Sequence, residues 1–160
     1  QGDGDLAAIG TAETIHAANR GERISTIFIN NAIYGMTGGQ MAPTTTLGQN
    51  ATTAPGGRDQ RRHGNPIDLS RMLAVSNGVI YVERCSLTTL KQIRKAKKAI
   101  KKSFQCQLDD KGFSLVELLS PCPTNWKMSP KDAWKWVNEE MVKTYPLGVI
   151  KDITGYEDKK

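Results

Sequence analysis

Residues 24–31 read Ile24-Ser25-Thr26-Ile27-Phe28-Ile29-Asn30-Asn31. Up to Ile29 the run is β-branched or aromatic with hardly a polar break, the pattern of a strand buried on both faces. Such strands belong to sheets covered by helices. Upstream, Ala8, Ala12 and Ile15 share one face of a helix predicted over 6–20, and Gly21 is a natural stop. Downstream, 79–83 and 113–119 repeat the near-continuous apolar pattern. Asn65-Pro66 offers a helix start leading to Ile67, Met72 and Leu73, closed by Asn77-Gly78. A long helix begins near Thr89, with Leu90, Ile93, Lys97, Ile100 and Phe104 at steps of three or four. Ser129-Pro130 opens the last helix, where Ala133, Val137 and Met141 share a face. Helices alternating with buried strands predict an α/β fold, a mostly parallel sheet flanked by helices. One domain is expected over 1–150, followed by a polar tail over 151–160.

Composition sets the outer limits. The 160 residues suffice for one domain, and 38% apolar with 24% charged residues is a globular balance, not a disordered polyelectrolyte. No apolar run approaches the roughly 20 residues of a membrane span, and no signal peptide opens the chain. Cys85, Cys106 and Cys122 are odd in number and far apart, which does not describe a secreted disulfide framework. A cytoplasmic location is the expectation.

In open α/β sheets ligands bind beyond the carboxyl ends of the strands. Two loops expected there carry the chemistry. Gly2-Asp3-Gly4-Asp5 combines glycines that admit a ligand to the backbone with a carboxylate able to hold a hard cation, and the following helix aims N–H groups at an anion. Asn31 follows Asp3 by 28 residues, the length of one βαβ unit, so both loops should meet at one sheet edge. Asp3, the Asn31 amide oxygen and a nearby carbonyl would supply the protein's share of a Mg²⁺ octahedron, with a diphosphate completing it. Taken alone, such a glycine–aspartate turn is more often a tight turn before a helix.

The Gly-Asp-Gly turn with its Asn-Asn strand end resembles the coenzyme motif of thiamine-dependent enzymes. Tyr34-Gly35-Met36-Thr37-Gly38-Gly39-Gln40 is similar to the loop of the β subunit of 2-oxoacid:ferredoxin oxidoreductases, and Ser120-Pro121-Cys122-Pro123-Thr124-Asn125-Trp126 resembles a second signature of that subunit. The resemblance runs from Gln1 to about Asp152. It implies a thiamine-diphosphate-binding fold, Mg²⁺ held by Asp3, Asn31 and the carbonyl of Ile33, and a diphosphate arm touched by Gly4, Asp5, Gly35 and Met36.

It also implies that Cys122, kept in a loop by its flanking prolines, is the fourth thiolate of a 4Fe-4S cluster. Cys85, which follows the strand predicted over 79–83 and is expected to reach the ligand edge too, is the second choice for that ligand. The family's other cluster cysteines lie upstream of the Gly-Asp-Gly turn, and this sequence contains none there. With no strand ahead of Gly2, the chain is expected to be the C-terminal portion of a longer subunit. The implied activity is oxidative decarboxylation of a 2-oxo acid to acyl-CoA and CO₂, with electrons passed to ferredoxin. Implied partners are an alpha subunit, gamma or delta subunits, ferredoxin, coenzyme A and the 2-oxo acid.

Two alternatives stand beside this reading: a non-oxidative thiamine-dependent 2-oxoacid decarboxylase, which would not need Cys122, and a non-catalytic basic interaction module. Residues 91–102 carry seven basic and no acidic side chains, yet the apolar stripe of the same helix makes them a solvated face, and nucleic-acid binding is not expected. A second basic cluster, 58–63, could meet coenzyme A phosphates, a partner subunit or solvent. No catalytic carboxylate is nominated; Glu13, Glu83 and Glu117 fall inside predicted elements, where pairing or solvation is expected. His16 is assigned a structural role, and the tryptophans Trp126, Trp134 and Trp136 to packing or subunit contacts.

Overall fold

The computed structural model describes residues 1–156. A π-helical turn, Asp5–Ile9, leads into α1 (Thr11–Arg20), then β1 (Ser25–Asn30). A long loop containing α2 (Gln60–His63) reaches α3 (Leu69–Ala74) and β2 (Val79–Ser86). Then follow α4 (Leu90–Leu108), β3 (Phe113–Leu119), α5 (Pro123–Trp126), α6 (Pro130–Trp136), α7 (Val142–Thr144) and β4 (Gly148–Asp152). The sheet order is β1-β3-β2-β4. β1, β3 and β2 are parallel, with Ile27 opposite Val116 and Cys85 opposite Leu118. The α/β expectation is borne out, and β3, buried at every residue, is the central strand.

Helices cover both faces. α4 packs Ala96, Ala99 and Cys106 on Tyr81, Val116 and Leu118, while α1 and α3 pack Ala18, Leu69 and Leu73 on Phe28, Phe113 and Leu115. A third cluster, Ala32, Ile33, Leu119, Trp126, Val137 and Met141, lies beyond the carboxyl ends of β1 and β3. Ser129 caps α6 by accepting the Asp132 N–H at 3.2 Å, and Ala133, Val137 and Met141 are fully buried as their spacing predicted.

Four details differ from expectation, each for a local reason. The π-helical turn adds a residue to its turn and rephases the first helix, so it buries Leu6, Ala7, Thr14 and Ala18, leaving Ala12 and Ile15 exposed. α3 starts later than Asn65-Pro66, because Asp68 provides the cap, its carboxylate accepting the Arg71 N–H at 3.1 Å. α4 begins after Thr89 as predicted, with Thr89 as its cap, but Leu90 and Phe104 are exposed. The helix rests on small side chains, and Ser103 meets Ser114 at 2.8 Å. Lastly, β4 pairs antiparallel with β2 through Asp152, and Thr154 is buried, so the polar tail does not begin at 151. The part of it from 157 to 160 lies outside the described residues. Among the described residues no helix is long and apolar enough to cross a membrane.

Candidate functional site

The first residues lie alongside β1. Ile29 donates its N–H to the Gln1 carbonyl at 2.8 Å, and Gly2 bridges to Ile29 in parallel. The Gly2–Asp5 turn and the Asn30-Asn31 strand end are thereby brought together at the edge where the spacing placed them. Between them is a cleft of about 620 Å³, lined by Asp3, Gly4, Asp5, Asn31, Ile33, Gly35 and Met36.

Asp3 is the buried charge of this cleft. Its Oδ2 accepts the Ile33 N–H at 3.2 Å and the Thr44 hydroxyl at 2.7 Å, and Oδ1 accepts the Gly4 N–H at 3.1 Å. Burial pushes its carboxyl up, opposed by these three donors. One terminal atom of the Asn31 carboxamide stands 2.6 Å from the Ile33 carbonyl oxygen and 3.2 Å from Asp3 Oδ2. As nitrogen it donates to both; as oxygen it completes three converging oxygens that only a cation reconciles. Among the described residues no three His, Cys, Asp or Glu side chains cluster. The donor set is therefore all-oxygen, one carboxylate, one amide and one carbonyl, which fits a hard ion such as Mg²⁺ completed by phosphate and water.

The anion side is shaped by missing side chains. A Cβ on Gly4 would stand 3.0 Å from the Tyr34 ring, so a side chain there would press on that ring. The Asp5 carboxylate turns back to accept the Gly2 N–H at 2.9 Å, leaving backbone as Asp5's means of meeting an anion. Gly38 and Gly39 have φ of +115° and +82°, and Tyr34 closes the loop by donating its N–H to the Gln40 carbonyl at 2.9 Å. Met36 stands fully exposed at the cleft's rim.

Cys122 does not line the cleft but abuts it. Asn125 Nδ2 donates to Cys122 Sγ at 3.2 Å and to the Gly35 carbonyl at 3.0 Å, and the Trp126 indole N–H donates to the Asn31 carbonyl at 3.2 Å. Cys85 does not reach the ligand edge. It lies inside β2, buried under α4, and burial together with neighbouring Glu83 pushes its thiol up to about 12. Cys106 is likewise buried in the core.

Residues 1–118 match the family model described as thiamine pyrophosphate enzyme, C-terminal TPP binding domain. The chain belongs to this family. Among curated relatives, it is 49% identical over 152 residues to the ketoisovalerate oxidoreductase subunit VorA of Methanothermobacter marburgensis, covering 95% of this chain and 32% of that one. It is 42% identical to the 2-oxoglutarate synthase subunit KorB of Methanocaldococcus jannaschii, covering 88% and 50%. The chain thus spans about a third to a half of these relatives. A solved 2-oxoglutarate:ferredoxin oxidoreductase from Magnetococcus marinus, with 2-oxoglutarate, coenzyme A and succinyl-CoA bound, superposes with a TM-score of 0.68. At 22% identity, over 94% of this chain and 54% of that one, the likeness is one of fold.

Sequence reasoning missed the supports of this TPP-binding domain. Thr44, in the featureless part of the long loop, is the side-chain donor to Asp3. Arg58, grouped with a solvated or phosphate-binding cluster, is buried. It donates to the carbonyls of Ala42, Pro43, Thr45, His63, Gly64 and Asn65 and holds the loop folded. Its guanidinium is therefore committed to structure, not to coenzyme A. Glu117, expected to be paired or solvated, is paired and fully buried against Arg84.

Proposed function

We propose that this chain is the thiamine-diphosphate- and Mg²⁺-binding portion of a 2-oxoacid:ferredoxin oxidoreductase, acting within a larger hetero-oligomer. The observation that carries the reading is the convergence of Asp3, Asn31 and the Ile33 carbonyl on one point in a glycine-lined cleft, in a thiamine pyrophosphate domain whose relatives include oxidoreductase subunits. Asp3, Asn31 and Ile33 would hold the metal; Gly4, Asp5, Gly35 and Met36 would border the diphosphate arm. Thiamine diphosphate, when bound, supplies the electron sink for decarboxylating a 2-oxo acid. This chain's share is orientation and charge: Asp3 brings a buried anion to the cation, Thr44 and Ile33 keep its carboxylate aimed, and Gly4 and Gly35 let backbone approach the phosphates.

Cys122 would supply one thiolate of a 4Fe-4S cluster. The resemblance of its loop and its place against Gly35 support this, and the buried Cys85 and Cys106 leave the other three ligands to residues outside this chain. Electrons would leave by that cluster toward ferredoxin, with coenzyme A accepting the acyl group. The test is Asp3→Ala in the assembled complex, with bound thiamine diphosphate quantified after gel filtration in Mg²⁺. Loss of the coenzyme is expected; retention at the wild-type level would overturn the metal assignment.

A further inference from the structure

The two ends of the Asn30 side chain do different work. Its Oδ1 accepts the Ala32 N–H at 3.0 Å, closing a turn around Asn31, and its Nδ2 donates to Glu117 Oε1 at 2.7 Å. Both Asn30 and Glu117 are fully buried. The other carboxylate oxygen of Glu117 is already taken by Arg84 Nε at 2.6 Å and the Ser70 hydroxyl at 2.5 Å. A carboxylate has no proton to give, so Glu117 dictates which end of the Asn30 amide faces it, and the oxygen is left pointing at Ala32. That matters because Ala32 sits at φ +55°, the left-handed region a residue with a Cβ avoids. The carbonyl of Ala32 is pinned as well, by Thr45 Oγ1 at 2.7 Å and Gln49 Nε2 at 3.0 Å. Holding Ala32 in this conformation is what turns the Asn31 carboxamide and the Ile33 carbonyl back toward Asp3.

We propose that Asn30, oriented by the buried Glu117–Arg84 pair, is a positioning residue for the cation site, acting through the Ala32 N–H to aim Asn31 and the Ile33 carbonyl. This rests on the reading of Asp3 and Asn31 as cation ligands. Partners that orient a metal's ligands typically alter its affinity by about 10- to 100-fold when lost.

The test uses hydrogen-bond polarity. Asn30→Asp places a carboxylate against Glu117, so one must swing away and release Ala32. Glu117→Gln brings an amide nitrogen that conflicts with either Asn30 or Arg84. Combined, Asn30→Asp with Glu117→Gln keeps the net charge and restores a donor–acceptor match with its direction reversed. Calorimetric titration of Mg²⁺–thiamine diphosphate into the assembled complex is expected to show a loss of about 10- to 100-fold in Asn30→Asp. The double variant should recover most of it at an unchanged unfolding temperature. Wild-type affinity in Asn30→Asp overturns the proposal, as does a double variant that assembles without recovering affinity. If the single variants do not assemble, the double variant decides alone: assembly with near-native affinity supports the proposal, and continued failure to assemble overturns it. Asp3→Ala, titrated alongside, separates the two levels. Unchanged affinity there removes the cation reading and the proposal with it, while loss there with Asn30→Asp unaffected removes only the role of Asn30.

Discussion

Trp126 donates its indole N–H to the main-chain carbonyl of Asn31 at 3.2 Å, tying the turn after β3 to the cleft-lining end of β1. The indole is buried, and its ring centroid lies 4.6 Å from that of Trp136. Trp126→Phe keeps an aromatic packing surface and deletes the donor. The expected result is a loss of about 1 kcal/mol in stability and a weakening of coenzyme binding by a few-fold, as a net hydrogen bond is worth. Thermal unfolding with and without Mg²⁺–thiamine diphosphate measures both. Full wild-type coenzyme affinity would show that the tie does not reach the site.

Arg58 predicts a different failure. A lysine retains the charge but cannot spread donors over so many carbonyls. Arg58→Lys should therefore free the backbone of the loop, with amide exchange between 42 and 65 accelerating while that of β3 stays slow. The loss of several charge-assisted bonds is on the order of 3 kcal/mol locally. Exchange rates in this loop indistinguishable from wild type would contradict the assignment of Arg58 as its staple.

The three cysteines separate by environment. Cys122→Ser in the assembled complex should lower the iron content and the cluster's EPR signal, whereas Cys85→Ala and Cys106→Ala should leave both unchanged, since their thiols are buried in the core. The non-oxidative decarboxylase alternative requires no iron in any of these complexes.

Cys85 also sets a pH dependence. Its thiol is held from an ordinary 9.0 up to about 12, first by burial and then by Glu83, so the fold favours the protonated form. Its contribution to stability is complete below pH 9 and is lost progressively as pH rises from 9 toward 12. Cys85→Ala should flatten the alkaline fall in unfolding temperature over that window. An identical fall in the variant would assign the effect to other groups.

The elements of the fold were legible because their signals are local. The apolar runs around Phe28, Val82 and Leu115 read directly as buried strands, the spacing after Thr89 read as a long helix, and Ser129-Pro130 announced the last one. The meeting of Asp3 and Asn31 at one cleft was legible for a similar reason: they sit in short, distinctive stretches one crossover apart. What escaped were partners joined only by the tertiary fold. Thr44 meets Asp3 from 41 residues away, and Glu117 meets Asn30 from 87, so neither leaves a pattern in its own neighbourhood. The phase of the first helix was hidden too. Gly10 accommodates a π-helical turn, a Cβ there falling 2.6 Å from the Asp5 carbonyl, and helical periodicity assumes that no such turn intervenes.

Gly39 offers the sharpest test of the loop that walls the cleft. Its φ of +82° suits glycine, and a Cβ would stand 3.2 Å from Asn125 Oδ1, the residue that also holds the Gly35 carbonyl and Cys122. Gly39→Ala therefore combines backbone strain of about 1–3 kcal/mol with pressure on Asn125. The strain is relieved by moving the loop, which shifts Gly35 away from the cleft and slackens the contact with Cys122. Coenzyme affinity should fall roughly tenfold, the factor that 1.4 kcal/mol represents. Gly48→Ala, also at positive φ but with open space around its Cβ, carries backbone strain without the clash and lies outside the cleft lining. It should destabilise the loop yet leave that affinity near wild type. Equal losses of affinity in the two variants would mean that general loop strain, and not the Gly39–Asn125 contact, governs the site.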